Sequence, residues 1–373
     1  MNRREFLKYC SVIGASVAFG KTPAHAGWLT HKKRNGFPQG MLLIDAHAHP
    51  DQLYYLGPRE GDEWDTWCSQ FCDDSSTLEK IKMLGMHGSS FAATGDSRTE
   101  PFMLDRVMNQ LNLVTALEEE GRVKIIRRHR DIPLGGPPKG YVPGAILSLE
   151  GASPLGDNED MVRDNLDTLY GSGVRMITLM HYLDNPFGQA MREARDKMDG
   201  NGLSDLGVMA VERMMELGII VDVAHAHYPT LRDIVEIGTV NRIPIIDSHT
   251  SLSPCEEFCG GRLRTWEEMQ LIADTGGLIC TWPLKWVRDN GPGRLTLEDW
   301  ATENYEMKRN LGIEHIALGT DGGGLLPEMV EGYTSILDLP KLVIAMSEVG
   351  FKRSEIQAYM GGNMLRVIKQ CIG

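Results

Sequence analysis

Eleven histidines occur in the 373-residue chain. His47, His49, His181, His225 and His249 stand at the ends of short apolar runs. The first of these runs reads Leu42-Leu43-Ile44-Asp45-Ala46-His47-Ala48-His49. Side chains at i and i+2 leave the same side of a strand, so both imidazoles can face one ion. Other runs end in Leu149-Glu150, Met180-His181, Ala224-His225, Ser248-His249 and Thr320-Asp321. A carboxylate closing so apolar a run as Gly144–Leu149 needs a partner or a metal, because an isolated buried charge is costly. Imidazoles with a carboxylate suit zinc or a similar divalent ion. His181 and Asp321 are surplus to a closed structural site, and their presence beside the ligand set points to metal-assisted chemistry.

Residues so far apart in sequence need a scaffold that gathers strand ends. Eight apolar runs are legible: 41–46, 88–93, 144–149, 174–180, 218–224, 243–248, 277–281 and 315–319. They are short, continuous and often β-branched, as in strands buried on both faces. Helical patterns lie between them, among them 160–170, 204–217, 229–237 and 265–275, with Gly171, Gly218 and Gly276 as stop signals. This alternation predicts an α/β fold, a (β/α)8 TIM-type barrel with its site at the C-terminal ends of the strands. An open doubly wound sheet is the alternative, disfavoured because histidines rather than a glycine-rich phosphate loop follow the first strand. Residues 54–76 read as a long polar loop carrying Trp64 and Trp67, a wall for the site, and 121–143 and 284–300 read as Pro/Gly/Arg-rich connections.

The net charge is −13, and residues 1–26 carry a net +3, so the remainder stands at −16. So negative a surface disfavours nucleic acid and anionic lipid as partners. Arg3-Arg4-Glu5-Phe6-Leu7-Lys8, an apolar stretch and Ala24-His25-Ala26 resemble a twin-arginine export signal with its cleavage site. The expected organisation is therefore a signal over 1–26, a linker over 27–40 and a barrel over 41–373, in a periplasmic or otherwise exported protein. No later stretch is apolar for long enough to cross a bilayer, so no stable anchor is expected after cleavage. Cys68/Cys72 and Cys255/Cys259 are each spaced by four, which leaves disulfides and isolated thiols both open.

His47-Ala48-His49, Ser148-Leu149-Glu150-Gly151, Asp222-Val223-Ala224-His225, Asp247-Ser248-His249 and Gly319-Thr320-Asp321 occur in that order. With the closing Gly362-Asn363-Met364-Leu365-Arg366-Val367, they resemble the membrane (renal-type) dipeptidases, dinuclear zinc peptidases of the amidohydrolase superfamily. The resemblance runs from about Met41 to the C-terminus. It implies two divalent ions, zinc being the expected metal: His47 and His49 on one, His225 and His249 on the other, Glu150 bridging. It implies that His181 polarises a dipeptide-like substrate and that Asp321 handles the proton of a metal-bridging hydroxide. It further implies that Arg262 holds the substrate carboxylate, with Arg264 competing for that role, and it leaves a homodimer open. Three departures stand out. His49 occupies a position where the family has Asp, Gly323 stands where a second Asp is usual, and the stretch after Glu150 differs. Another amidohydrolase-type C–N or ester hydrolase, a lactonase or deacylase, remains an alternative, as does a non-catalytic periplasmic binder. Asp45, Asp222 and Asp247 are expected either to support the ligand histidines or to serve as caps and surface groups.

Overall fold

The computed structural model describes residues 33–34, 37–38, 40–96, 104–134, 141–192, 199–253, 263–288 and 291–373. Arg262, Cys255, Cys259 and the export signal lie outside the described residues. Eight parallel strands form one sheet: β1 (Ile44–Asp45), β2 (Gly88–Thr94), β3 (Gly144–Glu150), β4 (Val174–Thr178), β5 (Ile220–Asp222), β6 (Ile246–Thr250), β7 (Leu278–Thr281) and β8 (Ile316–Leu318). They pair in sequence order. A two-residue strand, Lys124–Ile125, adds to β3 outside this path. Ala46 N–H donates to Leu318 O (3.0 Å), Asp321 N–H to His47 O (2.9 Å) and His49 N–H to Gly322 O (2.8 Å), and these bonds join the last strand to the first. The expected barrel is therefore the observed one, each of the eight apolar runs supplying its strand.

The strands are buried along their length because helices cover the outside. The helices are α1 (Asp62–Phe71), α2 (Leu78–Leu84), α3 (Leu104–Glu119), α4 (Glu159–Ser172), α5 (Asp205–Leu217), α6 (Tyr228–Asn241), α7 (Trp266–Asp274), α8 (Leu297–Leu311), α9 (Leu339–Glu348), α10 (Arg353–Gln357) and α11 (Asn363–Cys371). Their starts follow capping chemistry: Ser204 accepts from Gly207 N–H, and Thr265 and Glu268 form a reciprocal capping box at α7. Gly218 ends α5 in the left-handed conformation as expected. At α4 that role falls to Gly173 (φ 108°), and Gly171 stays within the helix.

One apolar cluster lies between barrel and helices. A second fills the barrel's lower interior with Ile44, Ile146, Met176, Ile220 and Ile246, and is sealed by Met364, Val367 and Ile368 of α11. Asn363 at the start of α11 donates to the carbonyls of Ile313 and Ile316, which pins this plug to β8. The stretch 54–76 is not wholly a loop. It contains α1, a helix with no buried residue, bridged by a Cys68–Cys72 disulfide. Three acidic residues in its first turn favour that helix end. Tyr55, Trp64 and Trp67 stack along it, with Trp67 4.4 Å from Tyr55 and 5.3 Å from Trp64 between ring centres. No helix among the described residues is long and apolar enough to cross a membrane.

Candidate metal centre

Parallel strands in a closed barrel deliver their carboxyl ends to one rim, and the predicted residues meet there. His47 and His49 follow β1 with Nε2 atoms 3.2 Å apart. His225, after β5, and His249, within β6, have Nε2 atoms 3.1 Å apart. Glu150, the last residue of β3, lies between the pairs. Its Oε1 is 3.5 Å from His47 Nε2, 3.0 Å from His225 Nε2 and 3.5 Å from His249 Nε2. Its Oε2 is 3.2 Å from His49 Nε2 and 3.4 Å from His181 Nε2. The His47 and His249 rings stack at 4.0 Å, bringing the two pairs against each other. Asp321 Oδ1 is 3.8 Å from His47 Nε2 and 3.7 Å from His49 Nε2. All seven side chains are buried. Three triads converge: His47–His49–Glu150, Glu150–His225–His249 and His47–His249–Asp321.

These donors fit two ions. Four ligands at about 2.0–2.1 Å in a tetrahedron stand roughly 3.3 Å apart, close to the spacing within each histidine pair. His49 Nδ1 faces the carbonyl of Ala92 at 3.1 Å. A carbonyl only accepts, so Nδ1 carries the proton of the neutral ring and the Nε2 lone pair points inward. Burial would raise the Glu150 carboxyl, but the imidazoles of His181 and His47 outweigh it and hold Glu150 well below the usual range. Burial pushes the other way at His47, where the Glu150 carboxylate prevails and lifts the imidazolium to about 9. The field at the centre thus favours positive charge.

The backbone bends to make this arrangement. His225 (φ 63°) and Asp321 (φ 51°) are left-handed, a conformation that strains residues with side chains and recurs at functional sites. Two departures from the family pattern adjoin one another. Gly323 (φ 82°) lies against the His49 carbonyl, where an added Cβ would collide with it. Gly323 O instead accepts from Tyr54 Oη at 3.1 Å and from Gln52 Nε2 at 3.3 Å.

A layer of acids underlies the histidines, and none of the three is a surface group. Asp45 accepts from Thr320 N–H (2.8 Å), the Thr320 hydroxyl and His47 N–H (3.3 Å), and burial pushes its carboxyl up to about 6. Asp222 accepts from Ala224 N–H (3.0 Å) and Ser248 N–H (2.9 Å) at Oδ1, and from the hydroxyls of Ser248 (2.6 Å) and Thr178 at Oδ2. The Ser248 Oγ also touches His249 Nδ1 at 2.8 Å. Asp247 pairs with Arg264 at 2.7 Å. Arg264 is 1% exposed and bonds Asp247, Glu268, Ala226 O and Val223 O. Its guanidinium is engaged within the fold, which removes it from competition with Arg262 for a substrate carboxylate.

A cavity of about 200 Å³ opens over the centre, lined by His49, Tyr54, Thr94, Asp96, Arg106, Glu150, His181, Tyr182, Asp321, Gly324 and Leu325. Tyr54, Thr94, Asp96, Arg106 and Tyr182 were not foreseen. For Asp96 a signal existed: it follows β2 by two residues, and β2 ends at the same rim as the other strands.

The profile of the membrane dipeptidases (peptidase family M19) matches residues 70–372. An uncharacterised dipeptidase of Schizosaccharomyces pombe is 30% identical over 203 residues, which cover 54% of this chain and 47% of that protein. Dipeptidase tcpJ of Claviceps purpurea is 26% identical over 227 residues, covering 61% and 50%. The chain thus spans about half the length of the curated relatives it matches. Among solved structures, a metallopeptidase from Rhodobacter sphaeroides liganded with a phosphinate mimic of the dipeptide L-Ala-D-Ala superposes with a TM-score of 0.73. That match has 17% identity and covers 89% of this chain and 99% of the other. A structure described as dipeptidase AC gives a TM-score of 0.74 at 18% identity, covering 90% and 100%. With the profile spanning most of its length and the barrel and converging donors in place, the chain belongs to the membrane dipeptidase family, M19.

Proposed function

We propose that this protein is a dinuclear metal-dependent dipeptidase that hydrolyses the peptide bond of small dipeptides. The observation that carries the reading is Glu150, whose carboxylate lies within 3.5 Å of both histidine pairs. His47, His49 and Glu150 would hold one ion, and Glu150, His225 and His249 the other. Two such ions supply Lewis acidity and make water a nucleophile near neutral pH. Asp321 takes and returns a proton at Oδ1, which stands beside the His47–His49 pair. His181, 3.4 Å from Glu150 Oε2 on the cavity wall, orients and polarises the substrate carbonyl. Burial of the set excludes bulk water and strengthens each of these interactions. Arg262 is assigned to the substrate's carboxylate by resemblance. The dipeptide mimic bound by the Rhodobacter sphaeroides structure supports this substrate class. Amidohydrolases that bridge their ions through a modified lysine after the fourth strand are a poorer match, because His181 follows β4 here.

The test is elemental analysis of the purified chain together with hydrolysis of an L,L- and L,D-dipeptide panel with and without a chelator. Two ions per chain and chelator-sensitive cleavage are expected; a two-ion protein that cleaves no dipeptide would overturn the reading. We further propose export through the twin-arginine route, supported by the Arg3-Arg4 motif and by the Cys68–Cys72 bridge, which suits an oxidising compartment. When the full sequence is expressed, recovery of the processed protein in the periplasmic fraction, lost on Arg3→Lys/Arg4→Lys substitution, is the expected result.

A further inference from the structure

Helix α1 buries none of its ten residues, so packing against the core does not fix it. Its last turn is closed by the Cys68–Cys72 bridge, with Cys72 N–H donating to Cys68 O at 3.2 Å. The chain beyond this turn is bonded to the loop that begins with Asp321. Gln52, 4% exposed and left-handed in its backbone (φ 47°), stands between the two. Its Oε1 accepts from Asp73 N–H at 2.8 Å, and its Nε2 donates to Phe71 O at 2.8 Å. The same Nε2 lies 3.3 Å from Gly323 O and 2.7 Å from Tyr54 Oη, which itself donates to Gly323 O. Asp73 Oδ2 accepts from Leu325 N–H at 3.1 Å, and Ser75 Oγ from Gly323 N–H at 2.9 Å.

The loop over 321–325 needs such holds. Asp321 (φ 51°) and Leu325 (φ 64°) both lie in the left-handed region, where a side chain is strained and persists only if its surroundings over-determine it. Gly324 N–H returns to Asp321 O at 2.9 Å, which shuts the loop on itself. Gln52, Tyr54, Asp73 and Ser75 then hold it from the segment beside α1. A ten-residue helix is marginal in water by itself, and a covalent cross-link limits the ways its end can open. Without the bridge, Phe71 O and Asp73 N–H lose their fixed places, and Gln52 loses the partners that orient it toward Gly323.

We propose that the Cys68–Cys72 bridge positions Asp321, acting through Gln52 and Asp73, so that opening the bridge slows turnover without releasing metal. Asp321's part in proton transfer rests on the dipeptidase reading; the tether itself does not. Cys72 is exposed, so an external reductant reaches the bridge. Opening takes two electrons and two protons. A phosphine supplies the electrons: its phosphorus attacks one sulfur and the S–S bond breaks. Water then converts the phosphorus to its oxide and provides the protons, and both cysteines become thiols.

The test treats the metal-loaded protein, with and without Asp321→Asn, with a water-soluble trialkylphosphine, which competes for metal less than a dithiol does. Reduction is expected to lower wild-type kcat on dipeptides about 10-fold, below the roughly 10²–10⁴-fold of losing an acid–base group outright. KM and the two bound ions should stay as they were, and the residual rate of Asp321→Asn should fall no further. An equal fold-loss in both proteins would make the bridge merely structural and overturn the proposal, as would an unchanged kcat in the reduced wild type. Gln52→Ala should lower kcat without any reductant; an unchanged kcat there overturns the route through Gln52. Hydrogen exchange over 321–325 needs neither turnover nor a variant. The amides of Gly323 and Leu325 should exchange faster once the bridge is open, and unchanged protection overturns the tether. Faster exchange in a protein that cleaves no dipeptide would leave the tether standing and remove the hydrolase reading.

Discussion

The hydrogen-bond relay from Asp222 through Ser248 to His249 sets the ring form that His249 offers to a metal, and Asp222→Asn tests this. Asp222 Oδ2 is 2.6 Å from Ser248 Oγ, which is 2.8 Å from His249 Nδ1. A carboxylate only accepts, so the Ser248 proton is committed to it. The Ser248 oxygen then accepts from His249 Nδ1–H, leaving the Nε2 lone pair directed at the centre. In the Asn variant the amide oxygen must stay at Oδ1, where Ala224 and Ser248 both present N–H groups. The NH2 then occupies the Oδ2 position and donates to Ser248 Oγ. The Ser248 proton turns toward His249 Nδ1, and the ring proton moves to Nε2, where it competes with the ion. Removal of such a support costs about 10–100-fold in metal affinity, or about 1.4–2.7 kcal/mol. The His47–His49 pair is insulated, because His49 is oriented by the Ala92 carbonyl. Competition against a chromophoric chelator should therefore show one weakened and one unchanged site, with Ser248→Ala weakening the same site less. Two sites of wild-type affinity, or equal loss at both, would refute the relay.

Four further outcomes are expected. Glu150→Gln should reduce bound metal from two ions to one or fewer by elemental analysis; two tightly held ions would argue against bridging. Asp321→Asn should keep both ions and lose most turnover, and full retained activity would remove Asp321 from the mechanism. Arg264→Ala strands Asp247 and Glu268 without their counter-charge and should cost about 3–5 kcal/mol in denaturant unfolding; a loss below about 1 kcal/mol would mean that the charges reach water. Burial lifts Asp96, which titrates near 6 in the fold against 3.8 when unfolded. The native state therefore holds this proton more tightly, and the group's contribution to stability falls as pH rises from about 4 through about 6. Asp96→Asn should gain on wild type across that window, by at most about 3 kcal/mol at pH 8 from a shift of roughly two units; a difference that does not change with pH would contradict it.

The barrel was legible because strands buried on both faces must be continuous apolar runs, and runs such as Gly144–Leu149 carry that signal without ambiguity. The metal ligands were legible for a related reason: a parallel barrel converts the end of every strand into the same place, so His47 and His249 could be placed together across two hundred residues of chain. The same reasoning extended to β2 would have reached Asp96. What stayed hidden depends on packing. Arg262 and Arg264 are near-equivalent in sequence, yet Arg264 turns inward onto Asp247 and Glu268. Polarity along 54–76 indicated exposure, and α1 is exposed, but polarity alone does not distinguish a loop from a helix supported by its end charges. Gly171 and Gly173 are both able to end a helix, and the chain takes its left-handed turn at the second, one residue before β4 begins.

The seam that shuts the barrel carries a consequence for biosynthesis. Asp45 and Thr320, which bond across it, are 275 positions apart. A ribosome releases His47 and His49 early and Asp321 only near the end, so a nascent chain displays imidazoles to passing cations long before their surroundings exist. Selection for the correct pair of ions can operate only after translation has delivered β8, on a molecule whose opposite edges have already met.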